Sequence, residues 1–136
     1  MCHALFLGAS RPLPLLSLDD AVWLSVEELP ARHEPVRRHF PDGWSVYFVG
    51  SHGGCGCGFH SDPDFPDPDD GYDAMSRRAL AAYLRAALDG ATELALYDRW
   101  EGDQGEPPLE RRQATPEELA ELPSPVPEGA WCQILR

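Results

Sequence analysis

Residues 52–60 read His-Gly-Gly-Cys-Gly-Cys-Gly-Phe-His, a histidine and cysteine spacing that is the same from either end. Glycine fills most of the gaps, so the backbone turns tightly there and gathers the side chains. Two of the four cysteines and two of the five histidines lie in this stretch, and Cys2 and His3 open the chain with one more of each. Thiolates and imidazoles gathered in this way suit a transition metal or reactive thiol chemistry.

The segments around this loop alternate between strand and helix patterns. Trp44-Ser45-Val46-Tyr47-Phe48-Val49 is rich in β-branched and aromatic residues and lies between Gly43 and Gly50, which predicts a strand running into the loop. Ala4-Leu5-Phe6-Leu7, ended by Gly8, reads as a buried strand. Residues 21–26, 93–100 and 130–135 predict three more, the second with Leu94, Leu96 and Asp98 on one face and Ala95 and Tyr97 on the other. Pro30 and Pro35 forbid a long helix, although Pro35 suits the first position of a short one ending at Phe40. The main helix is expected at about 73–89, where Leu80, Tyr83, Leu84, Ala87 and Leu88 form one stripe and Gly90 supplies the stop. Thr115-Pro116-Glu117-Glu118 is a capping box that opens a short helix to about Leu122. The order predicts a single α+β domain over residues 1–136, with a sheet of about five strands covered by one main helix. A Gly/Cys/His loop at 50–60 leads into an Asp/Pro-rich loop at 61–71, where Asp62, Asp64, Asp67, Asp69 and Asp70 alternate with Pro63, Pro66 and Pro68.

A chain of 136 residues buries roughly two thirds of its unfolded surface, so neither a metal nor a disulfide is needed for folding. Acidic residues number 23 against 11 basic ones, giving a formal net charge of −12. All the basic residues are arginine, which excludes lysine-dependent chemistry. A surface this acidic repels phosphate backbones and anionic lipids, so nucleic acid and membranes are not expected as partners, whereas cations or a basic protein are attracted. The first residues carry no charged start and only a short apolar run, which reads as cytoplasmic. Thiols are kept reduced there, so the cysteines read as free thiols, metal ligands or redox groups before structural disulfides.

A tetrahedral zinc takes four ligands. Cys-x-Cys is tighter than zinc-finger spacing, and four ligands from nine residues are cramped. The favoured set is therefore Cys55 and Cys57 with His52 or His60, completed by Cys2 or His3. Zinc ranks first, copper(I) second and an iron–sulfur cluster third. A second reading is a thiol-dependent or redox enzyme using Cys55 or Cys57 activated by His52. The alternative nucleophile of such an enzyme is Cys2, exposed by removal of Met1 and served by its own α-amino group. The Met-Cys start resembles that of N-terminal-nucleophile glutamine amidotransferases over two residues, with His3 where glycine usually follows. The third reading is an acidic protein-interaction module whose cysteines are inert small hydrophobes. Neither a P-loop nor an EF-hand fits, since no Gly-Lys-Ser/Thr follows the glycines and prolines interrupt the aspartates. Trp23, Trp44, Trp100 and Trp131 read as core packing, and His33 and His39 as surface residues beside Arg37-Arg38. Cys132 reads as a buried thiol, able to join a site only if its strand neighbours the first.

Overall fold

The computed structural model describes residues 2–61, 71–89 and 91–136. Residues 62–70, most of the expected Asp/Pro-rich loop, lie outside the described residues, as does the expected helix stop at Gly90. The elements are β1 (His3–Ala9), β2 (Leu24–Glu28), a 3-10 helix at Ala31–His39, β3 (Ser45–Ser51), a short 3-10 helix at Gly56–Phe59, α1 (Tyr72–Ala87), β4 (Leu94–Trp100), β5 (Glu110–Ala114), α2 (Pro116–Glu121) and β6 (Ala130–Ile134). The six strands form one mixed sheet in the order β2-β3-β1-β4-β6-β5. All neighbours are antiparallel except β5 and β6, which run parallel.

β1 lies inside the sheet and packs on both faces, which explains its unbroken apolar run. Its Leu5, Leu7 and Ala9 share a core with Leu80, Leu84 and Leu88 from the helical layer and with Leu94, Leu96 and Ile134 from neighbouring strands. Its Ala4 and Phe6 point to the opposite face, where they join Val46, Phe48, Ala95 and Tyr97 beneath Val36 and Phe40. The sheet is therefore covered by α1 on one side and by the Ala31–His39 segment on the other. The capping box forms as the sequence predicts: Thr115 accepts from the Glu118 N–H, and Glu118 reaches back to Thr115.

The α+β class matches the sequence reading, but the sheet gains a strand. β5 is Glu-Arg-Arg-Gln-Ala with four of five residues exposed, so it shows no apolar alternation. It forms because its backbone pairs with β6 from Glu110 to Ala114. The strand expected at 21–26 begins instead at Leu24, because Ser17 ties the preceding residues into a turn: its carbonyl accepts from the Asp20 and Ala21 N–H groups. His33 is not a surface residue but fully buried, hydrogen-bonded to Glu101 through Nε2 at 2.6 Å and stacked on Phe48. A 3-10 helix has three residues per turn, which sets His33 and Val36 on one inward face despite their polar neighbours. The four tryptophans are each half-buried: Trp44 and Trp131 pack against the core as expected, but Trp23 lies instead against His52 and Tyr72, and Trp100 against His3. Among the described residues, no helix is long and apolar enough to cross a membrane.

Leu84 has no exposed surface and anchors α1 on the sheet. Leu84→Ala is expected to lower the unfolding free energy by about 3 kcal/mol. Urea denaturation checks this, with the midpoint falling and the slope unchanged.

Candidate metal centre

Antiparallel pairing places the start of β1 beside the ends of both its neighbours. Leu5 pairs with Val49 of β3 and with Asp98 of β4, and His3 pairs with Trp100. The Gly/Cys/His loop leaves β3 immediately after this register, so it meets Cys2 and His3 directly. The turn begins when the Gly54 N–H donates to the Ser51 carbonyl at 2.8 Å, with Gly54 at φ +83°, a conformation natural to glycine. The Cys55 carbonyl then accepts from the Ser51 N–H at 2.8 Å and from the Ser51 hydroxyl at 2.7 Å. Gly56 lies against β1 so closely that a Cβ there would stand 3.0 Å from the His3 carbonyl oxygen and 3.2 Å from the Leu5 nitrogen.

Two sets of donor atoms result. Cys2, Cys55 and Cys57 bring their sulfurs within 4.8 Å of one another. His3, His60 and Asp98 form the second set, within the same limit. The sets touch through the backbone, since the His3 N–H donates to Cys57 Sγ at 3.2 Å. Cys2 is exposed and Cys55 and Cys57 are partly so, which leaves the sulfurs open to solvent on one side. Burial pushes the Cys57 thiol up and adjacent Cys55 adds to this, while the His3 N–H and Cys2 pull the other way. This upward push weakens Cys57 as a free nucleophile.

Asp98 is the residue the sequence reading missed as a donor. Its signal was present: it continues the inward face of Leu94 and Leu96, where a carboxylate needs partners. His3 Nδ1 lies 2.6 Å from Asp98 Oδ1, and His60 Nε2 lies 3.0 Å from Oδ2. Asp98 is 1% exposed, against 17% for the His3 side chain and 14% for that of His60. The His3 ring is sandwiched between His60 and Trp100, with centroids 4.1 and 4.3 Å away.

The remaining residues go elsewhere. His52 belongs to neither set: its Nδ1 and its N–H both meet the Ser76 hydroxyl, and its Nε2 is 3.9 Å from Asp73. It fastens the loop to α1. Cys132 sits on β6, separated from β1 by β4, and burial pushes its thiol up to about 11. No family model, curated protein or solved structure matches the chain, so the chemistry of these residues carries the functional reading.

Two outcomes follow from this geometry. Among the four thiols, Cys132 is expected to resist alkylation at neutral pH until the protein unfolds, while Cys2 and Cys55 react in the folded protein and Cys57 follows more slowly; intact-mass analysis against time and denaturant concentration reads this out. Gly56→Ala is expected to displace the Cys55–Cys57 turn, because the opposing atoms are sheet backbone that does not give. Gly53, whose added Cβ meets nothing closer than 4.0 Å, provides the control: Gly53→Ala leaves the chemical shifts of Cys2 and His3 unchanged, and Gly56→Ala moves them.

Proposed function

We propose that this protein binds a transition metal ion, zinc by preference, through the thiolates of Cys2, Cys55 and Cys57. The observation that carries the reading is the convergence of three sulfurs from two distant parts of the chain. Three thiolates of a tetrahedral ion leave one position for water or a guest molecule, the layout of a reactive zinc rather than a closed structural one. The exposure of Cys2 gives that position a route to solvent. A bound cation removes the thiol protons outright and so overcomes the upward push on Cys57. The His3 N–H to Cys57 steadies one ligand sulfur. The strongly negative chain adds a long-range attraction for the ion. Because three soft sulfurs alone also satisfy copper(I), that ion is the second reading.

Cobalt(II) provides the test. Added to the reduced protein without oxygen, it is expected to give the intense thiolate-to-cobalt charge-transfer absorption, which zinc then abolishes. Cys55→Ser and Cys57→Ser should each weaken cobalt binding by about 100-fold or more, at the upper end of the losses seen even for outer partners of metal ligands. A folded protein that shows no such band, and whose thiols all titrate freely in the presence of zinc or copper(I), would overturn the proposal.

A further inference from the structure

We infer that His3, His60 and Asp98 form a second metal site, distinct from the three sulfurs, for a divalent first-row ion of harder character. The inference stands independently of the thiolate reading, because the two donor sets share no ligand. Two imidazoles and one carboxylate form the donor set of open, catalytic first-row metal sites, with the remaining positions free for water or substrate.

The spacing fits. An ion bonded at about 2.1 Å with angles between octahedral and tetrahedral holds its ligand atoms about 3.0 to 3.4 Å apart. His60 Nε2 is already 3.0 Å from Asp98 Oδ2, and His3 Nδ1 is 2.6 Å from Oδ1. Widening the shorter contact by a few tenths of an ångström brings both to ligand spacing, and the donor atoms of the two rings lie within 4.8 Å of each other. As a ligand each ring is neutral, with its proton on the outward nitrogen and the inward one free to bind the ion.

The electrostatics points the same way. A buried carboxylate is costly unless matched by charge. Among the described residues, the ion-pair contacts of Asp98 are with these two rings alone. The two rings meet one carboxylate oxygen each, and a divalent ion among the three groups would add positive charge beside both oxygens. The donors are also rigidly held. Asp98 and His3 sit on paired strands, the Trp100 and His60 rings fix the plane of His3, and the His60 N–H is tied to the Cys57 carbonyl at 3.1 Å. The partial exposure of both histidines gives an ion a way in.

The experiment removes the thiolates and asks whether an ion still binds. The full chain carrying Cys2→Ser, Cys55→Ser and Cys57→Ser is dialysed against cobalt(II), with its fold checked by circular dichroism. One retained ion is expected, with paramagnetically shifted proton signals from two histidine rings. Adding Asp98→Asn or His60→Gln should weaken retention about tenfold or more. In the otherwise native chain, His60→Gln should remove one ion per molecule while leaving the thiolate-to-cobalt band intact, which keeps the test decisive if the triple variant does not fold. The inference is overturned if the folded triple variant retains no cobalt, or if the ion count of the native chain is indifferent to both Asp98→Asn and His60→Gln. Loss of the thiolate band alone would overturn only the first site.

Discussion

The antiparallel pairing of β1 with both β3 and β4 underlies the rest of the structure. A strand paired in this way begins where both neighbours end. The residues that open the chain are thus delivered to the loop leaving β3 and to the last residues of β4. Cys2 and His3 are about fifty residues from Cys55 and His60 in sequence, yet the register gives their side chains one location. A parallel β1 would have sent them to the far edge of the sheet. The burial of Leu5 and Leu7 on one face and Phe6 on the other fixes that register, because a slip by one residue would exchange the faces.

The loop supplies what the sheet does not. Residues two positions apart on a strand share a face but stand about 6.6 Å apart, so pleated geometry alone does not draw two such sulfurs to one point. Here the chain leaves pleated geometry at Ser51 and enters a single turn of 3-10 helix at Gly56. Gly56 lets that turn lie directly against the β1 backbone, and His52 pins its start to α1 through Ser76. The helix thus holds the loop without providing a donor to either set.

Much of this was legible in the sequence, and the misses have physical causes. The strands of the interior read clearly, because burial on both faces leaves an apolar run such as Ala4–Leu7. The favoured set joined Cys55 and Cys57 to a histidine of the loop and to Cys2 or His3; the structure brings Cys2 to the two loop cysteines but groups His3 and His60 separately with Asp98. β5 was not legible, since its residues are exposed and its strand character comes only from the partner backbone. His33 misled for a related reason: its neighbours are polar, and only three-residue periodicity reveals its inward direction. Asp98 could be placed on the inward face but not assigned a role, because strand periodicity says where a side chain points and not what it meets.

The two donor sets differ in kind, and that difference bears on what the molecule can do. Three sulfurs are soft and favour ions that part reluctantly from thiolate. Two imidazoles and a carboxylate are harder and leave more positions to exchangeable water. A single mixed cluster would bind whichever ion was most avid, with little discrimination. Two sets linked through the His3 N–H on Cys57 Sγ and the His60 backbone N–H on the Cys57 carbonyl, yet sharing no donor, would let different ions occupy neighbouring positions. The hydrogen bond from His3 to Cys57 would also couple them: a cation at the imidazoles would polarise the same backbone group that meets the sulfur, so occupation of either set would alter the electrostatic field at the other.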